Sequence, residues 1–250
     1  MASTDSAGVP WEGRSFEHVP ASDDDGSAPP KLLEALKRFR SQELGEAEVV
    51  DEIRSSRLLI PLVAELGEQG RSDAGHTVDK SQELSIVTVS GPDGRSVLPA
   101  FTSVAAMTRW NPKARPIPAD GRRIALAAAS EGTDLVVVDA TSDTEFAVRR
   151  PALWALAQDE PWRPSYLDED VLAEFLISAD GEEAIVAIQL APGDPDARLA
   201  GPELLVQLSL VPGLDETELT ALLARAQDAW STSELIATRV DSMMVRLANA

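Results

Sequence analysis

The sequence predicts an α/β (α+β) chain: a mixed-sheet N-terminal domain, then a smaller domain of element order α-β-β-α-β. Three observations carry this. Helix-period and strand-period segments alternate from Pro30 onward, the pattern of helices layered on sheet. Charge is spread unevenly: residues 1–30 hold six acids against one base, 31–165 hold 20 against 17, and 166–250 hold 16 against four. An acidic, proline-containing stretch, 159–164, falls at the step between the last two blocks. The expected division is a disordered acidic tail over 1–30, an α/β domain over 31–158, a linker over 159–165 and an acidic α+β domain over 166–250.

In the tail, Gly, Ser, Asp and Pro dominate, and ASDDDGSAPP has too little apolar area to offset the entropy of ordering it. Trp11 and Phe16 are the exceptions, candidates to dock on the body or on a partner. From Pro30 a helix sets Leu32, Leu33, Leu36 and Phe39 on one face, and a second, Glu46–Ser55, carries Val49, Val50 and Ile53. RLLIPLVAEL is the first core strand. Residues 67–81 are polar and glycine-rich, a loop that contains His76. ELSIVTVS alternates as one strand, Leu84 and Ile86 inward, and returns through the tight turn GPDG as RSVLPAF. Thr102 and Ser103 are good N-caps for a helix with Val104, Met107 and Trp110 at i, i+3 and i+6. NPKARPIP reads as a short extended strand, Asp120 and Gly121 open the helix RRIALAAASEG, and Gly132 ends it. TDLVVVDA is a buried strand with EFAVRR beside it. Pro151 then sits in the first turn of a helix whose Leu153, Trp154 and Leu156 are expected in the core.

Beyond the linker, DEDVLAEFLISA is helical with Leu167, Val171, Leu172 and Phe175 on one side. AIVAIQLAP and ELLVQLSLVPG are strands, antiparallel to each other, separated by the loop PGDPDARLAG. LDETELTALLARAQDAW is an amphipathic helix whose first turn carries Asp215, Glu216 and Glu218, suited to the positive end of the helix dipole. SMMVRLAN closes the chain as a strand.

Composition excludes several chemistries. There is no cysteine, hence no disulfide framework, thiol nucleophile, thiolate zinc or iron–sulfur cluster. The two histidines, His18 and His76, fall in tail and loop, poor places for a rigidly held catalytic base. No Gly-rich loop ends in Lys-Ser/Thr, so Asp139 after LVVV reads as a strand-ending acid in a turn rather than a magnesium ligand. Asp194 and Asp196 lack the glycine and terminal glutamate of a calcium loop. No metal and no cofactor is implied. The start has no secretory pattern, and no apolar run reaches the roughly 18 residues a membrane helix needs. A net charge of -20 opposes nucleic acid and anionic lipid as partners. Arginine exceeds lysine and alanine is abundant, as in GC-rich bacterial genomes, so a bacterial cytoplasmic protein is expected.

A strand ending in Pro99-x-Phe101-Thr102-Ser103, a short helix ending near Trp110, a second helix, a strand, and a further strand and helix beginning at Pro151 form an ordered pattern. In this pattern the chain resembles the SseB family, the bacterial cytoplasmic proteins named for enhanced serine sensitivity, over roughly residues 45–158. The family commonly carries Asn-Pro after the strand that here reads LVVVDATS, where Asp139 and Ala140 stand. The last block resembles the family's second domain in element order. The resemblance implies the fold and no reaction, cofactor or metal.

One local feature stands against the overall charge. Arg109, Lys113, Arg115, Arg122 and Arg123 cluster around Trp110, with Asp120 the one acid among them. Arg and Trp are the residue types enriched at binding hot spots. The functional reading is a recognition site for a protein partner, an acidic segment or a small anion. The plain alternative is a solvated basic face with Trp110 in the core, or a docking face for the acidic C-terminal domain. The chain is therefore read as a non-enzymatic binding or regulatory protein. The alternative is a small-molecule sensor or carboxylate-dependent enzyme with a site between the two domains.

Overall fold

The computed structural model describes residues 24–65 and 83–249. Trp11, Phe16, His18 and His76, with the whole 67–81 loop, lie outside them. Helix α1 (Pro30–Arg40) has proline in its first turn, where no N–H is missed, and buries Leu32, Ala35, Leu36 and Phe39 at helical spacing. Helix α2 (Glu46–Ser55) buries Val49, Val50 and Ile53, with acids in its first turn and Arg54 in its last, as the helix dipole favours.

Strands β1 (Leu58–Glu65), β2 (Glu83–Ile86), β3 (Val89–Ser90) and β4 (Ser96–Ala100) follow, then α3 (Val104–Trp110), β5 (Arg115–Ala119) and α4 (Gly121–Ser130). Strands β6 (Val136–Val138) and β7 (Phe146–Val148) and helix α5 (Arg150–Gln158) complete this part. Two sheets result. One, of order β2-β1-β5, is antiparallel; the other, β3-β4-β6-β7, is mixed, with β4 and β6 parallel. They meet where Leu59 and Phe101 exchange N–H···O bonds of 2.8 and 2.9 Å. β6 is three buried valines, the continuous apolar run of a strand covered on both faces. Helices α1, α2, α4 and α5 cover the face of Val136 and Val138, Leu199 packs on the face of Val137, and Phe39 meets Phe146 edge-on at 5.1 Å. The chain passes so close at the start of α4 that a Cβ on Gly121 would stand 2.7 Å from the Ile53 carbonyl oxygen.

The second part opens with a 3-10 turn (Ser165–Leu167) and α6 (Glu169–Ser178). Strands β8 (Ile185–Pro192) and β9 (Leu204–Leu210) are antiparallel; α7 (Glu216–Thr232) and α8 (Glu234–Arg239) then cross over to β10 (Met243–Asn249), parallel to β9. The order is β10-β9-β8, with Leu204, Val206, Leu208 and Leu210 of the central strand buried under the helices. α7 begins with a capping box between Asp215 and Glu218. Trp230 lies edge-on to Phe175 at 5.2 Å and donates from Nε1 to Ser178 Oγ.

The α+β class and nearly every element stand as the sequence predicts, with four corrections. ELSIVTVS is two strands: β2 pairs with β1, and after Val87 and Thr88 the chain changes sheet, so that β3 pairs with β4. Trp154 is outside the core, 41 % exposed. The α5 stripe is Ala152, Leu153 and Leu156, and the next residue after Leu153 lies ~100° further round the helix, where the Trp154 ring packs under the Arg150 guanidinium at 5.1 Å. Leu167 is exposed because it ends the 3-10 turn ahead of α6 rather than lying on its inner face. Helix α8, capped by Ser233, is an element the sequence pattern did not mark.

Candidate functional site

The basic cluster is placed by the corner at the end of β4. Pro99 and Phe101 are buried, and Thr102 ties the corner down. Its N–H and hydroxyl donate to the two carboxylate oxygens of Asp139 at 2.8 and 2.7 Å, and Thr144 donates to the same carboxylate at 2.9 Å. Asp139 has a φ of +50°, a conformation Asp and Asn adopt more readily than most residues. It does end its strand at a turn, and its buried charge is consumed by three donors. Ser103 caps α3, accepting from Ala106 N–H at 3.1 Å. Trp110, half-buried, closes over Phe101 with ring centroids 5.2 Å apart, beside Leu59, Ala106 and Met107.

From that corner the strip runs along β5, an edge of its sheet among the described residues. Arg109, Lys113 and Arg115 stand at one end; Arg122 and Arg123, in the first turn of α4, stand at the other; all five are exposed. At roughly 3.3 Å per residue, β5 separates the two groups by ~13 Å. The structure thus lays the predicted residues along one edge rather than in one spot. Pro116, Ile117 and Pro118 lie between them, exposed. Pro118 is paired with Leu59, whose N–H is directed away to Phe101, so this is a position where the β5 backbone faces outward. Pro116, two residues earlier, faces the same way. Proline has no N–H, so at both positions the edge offers no donor for another strand. Recognition here belongs to side chains.

The electrostatics of the strip differ from those of most other arginines. Arg40, Arg54, Arg57, Arg95, Arg149, Arg225 and Arg239 each hold a carboxylate within ion-pair distance. Among the described residues, Arg109, Lys113, Arg115 and Arg122 form no ion pair, and Arg123 has only Asp120 at 3.8 Å. Arg122 and Arg123 also sit at the positive end of the α4 dipole, an arrangement that costs about 0.3–1 kcal/mol per charge at low salt. Helix stability does not account for them.

The acidic C-terminal part does not dock on this strip. It joins the N-terminal part through other cations. Arg149, buried, donates to Asp194 at 2.7 Å and Asp241 at 3.1 Å, and Arg95 adds a bond to Asp241 at 3.0 Å. Arg150 donates to the carbonyl oxygens of Ala237 in α8 and of Val240 just after it. The β8–β9 loop reaches across: Ala197 O accepts from Ala147 N–H, and Leu199 packs with Val97, Leu135 and Val137. Buried Glu203 accepts from Ser165 and from Asp241 N–H, and Tyr166 Oη donates to Glu46 at 3.1 Å. Burial pushes the Glu46 carboxyl up to about 7, against the lowering effect of the Tyr166 bond. Burial also raises Glu203. Asp241 is pushed up by burial too, but the bonds and charges of Arg95 and Arg149 outweigh that and hold it below its ordinary value. Sequence reasoning missed this junction. The available signal was the Arg149-Arg150 pair at the head of a helix and acids set between Gly and Pro in the β8–β9 loop, which chain distances of 45 to 92 residues conceal.

Among the described residues no three His, Cys, Asp or Glu converge as a metal site, and no helix is long and apolar enough to cross a membrane. Residues 32–155 match the family model described as the SseB protein N-terminal domain. This part of the chain is an SseB N-terminal domain. The match contains the corner, the strip and the tie between Thr102 and Asp139, and the residues after 155 lie outside it. No curated protein and no solved structure matches the chain. The SseB pattern residues Pro99, Phe101, Thr102, Ser103 and Trp110 are the ones that build the corner: two fill it, one ties it, one caps α3 and one covers it.

Proposed function

We propose that this chain, with its SseB N-terminal domain, is a bacterial cytoplasmic binding protein of two domains, and that the β5 strip recognises an acidic segment of a partner protein. The observation that carries the reading is the set of exposed cations without ion pairs on a chain of net charge -20, whose other arginines are mostly paired. Two further features support it. Arg122 and Arg123 occupy helix positions that work against them, and the prolines of β5 leave the cations, with Ile117 between them, as the means of contact. The carboxylates between the two parts are held by Arg95, Arg149, Ser165 and Tyr166, which favours binding over carboxylate chemistry at that junction.

The test uses a fluorescein-labelled oligo-glutamate peptide as probe, with the intact chain and the variant Arg109→Glu/Arg115→Glu/Arg122→Glu. At about 1 kcal/mol per close charge pair in water, three reversals weaken binding by roughly a hundredfold or more, and added salt weakens the unmodified chain most. The melting temperature stays put, because exposed charges contribute only about 0–1 kcal/mol each. Equal affinity of the two proteins for the probe overturns the reading.

A further inference from the structure

Strand β10 is an edge left bare. On the central strand β9, every helix-facing residue is buried; on β10, in register with it, helix-facing Met243 and Leu247 are 37 % and 41 % exposed. On the opposite face Met244 is 54 % exposed. The helix layer thus stops short of β10, and among the described residues the outer row of its backbone groups has no neighbouring strand. Few of the usual devices blunt this edge: β10 has no proline, no bulge and no acid, and its one charged side chain is Arg246. That distinguishes it from β5 with its two prolines, and from β8, which carries a register shift between Ile185 and Ala187 and ends in Pro192.

The side-chain order of β10 selects the neighbour. A two-fold contact must be self-complementary, with residue i meeting j and j meeting i. Centred on Val245, an antiparallel copy sets Met243 against the partner's Leu247 and Val245 against the partner's Val245, all on the helix-facing side. On the other side it sets Met244 against the partner's Arg246, so the methionine lies along the arginine stem. Arg246 is the one charge on β10. Shifting the centre one residue toward the C-terminus sets Arg246 against its own copy, a destabilising like-charge pair; shifting it one residue the other way sets apolar Leu247 against the partner's Asp241, whose carboxylate Arg95 and Arg149 already hold. On a chain of net charge -20, this acid-free strip is where two identical copies meet without opposing carboxylates.

We propose that β10 is the seam of a two-fold dimer, paired antiparallel with its copy about Val245, so that two three-stranded sheets become one continuous sheet. The partner's helix layer then covers Met243 and Leu247, and the assembly presents two β5 strips.

The absence of cysteine makes the register directly testable. Sedimentation at physiological salt, with concentration varied, reports the oligomeric state of the full chain, and a dimer is expected. Directly opposed strand residues have Cα atoms about 4.5–5.5 Å apart, within disulfide reach, so Val245→Cys forms a covalent dimer under mild oxidation, while Thr220→Cys on exposed α7 does not. Met243→Glu, placed against the partner's Leu247, weakens association. Met244→Glu, placed against the partner's Arg246, gains two cross-strand ion pairs and tightens it by roughly twofold to thirtyfold. Both methionines are exposed, and circular dichroism confirms that each variant remains folded. A monomer at every concentration overturns the proposal. So does a dimer that Val245→Cys fails to lock, or one that both glutamates weaken alike.

Discussion

Arg149 and Asp194 form a buried ion pair at 2.7 Å, the arginine from the head of α5 and the aspartate from the β8–β9 loop. The guanidinium also holds Asp241 and the Gly201 carbonyl oxygen, so its charge and geometry are used from several sides. Removing one partner from such a site strands the others in a poorly solvated place, at about 3–5 kcal/mol. Arg149→Ala therefore lowers the unfolding free energy by that amount in urea titration. Arg239→Ala, which loses exposed pairs to Asp168 and Asp170, costs about 0–1 kcal/mol. Similar losses for the two variants would show that the junction is not under strong electrostatic control.

Glu46 makes the same junction sensitive to pH. Its carboxyl is raised from 4.5 to about 7, mainly by burial, with Glu203 adding a smaller like-charge effect. In the folded chain it keeps a proton that the unfolded chain has already released above its ordinary value. The stability held by the neutral form is therefore fully present below about pH 4.5 and is lost as pH rises to about 7. At ~1.4 kcal/mol per pH unit, the loss is on the order of 3 kcal/mol. Glu46→Gln keeps a neutral group that Tyr166 can bond, so its stability exceeds that of the unmodified chain at pH 8 and matches it near pH 4.5. Unfolding titrations at the two pH values check this; parallel curves would place the carboxyl in water.

Much of this fold could be read from spacing. The apolar stripe of α1, the bounds of α2, the valine run of β6 and the capping acids of α7 follow from period and end chemistry. The exposed state of Arg109, Lys113, Arg115, Arg122 and Arg123 and the half-buried place of Trp110 were also within reach, since lone charges in a polar stretch face water. What spacing could not give is pairing between distant segments. Nothing in ELSIVTVS says that Ile86 answers Leu62 while Val89 answers Val97. Nothing local to Asp194 says that Arg149 lies across from it. The bare edge of β10 is legible only once the order β10-β9-β8 is known.

Trp154 shows how residue type misleads where position decides. Its ring packs under Arg150 at the surface, and such a cation–π contact contributes about 0.5–1 kcal/mol when exposed. Leu153, one residue earlier, is buried in the main core beside Leu156. Trp154→Ala thus costs about 1 kcal/mol or less, and Leu153→Ala costs about 2–5 kcal/mol. Thermal unfolding of the two variants ranks them; a larger loss for Trp154 would return that ring to the core.

The last prediction concerns Asp139, where the family resemblance places asparagine. Its carboxylate accepts from Thr102 N–H at one oxygen and from the Thr102 and Thr144 hydroxyls at the other. Asparagine keeps the first oxygen as an acceptor and turns the second into an NH2 donor. Both threonine hydroxyls can rotate to accept, since a hydroxyl serves in either role. Asparagine also tolerates the positive φ of this position. Asp139→Asn is therefore expected within about 1 kcal/mol of the unmodified chain. Asp139→Ala leaves the Thr102 N–H and hydroxyl without a partner, at about 1–3 kcal/mol for each group that stays buried and unpaired, while the Thr144 hydroxyl keeps its bond with Ser142. It also releases the corner that holds Trp110 over Phe101, so tryptophan fluorescence shifts to the red in Asp139→Ala alone. Equal losses for Asn and Ala would mean that the negative charge itself, rather than the hydrogen-bonded tie, holds the corner.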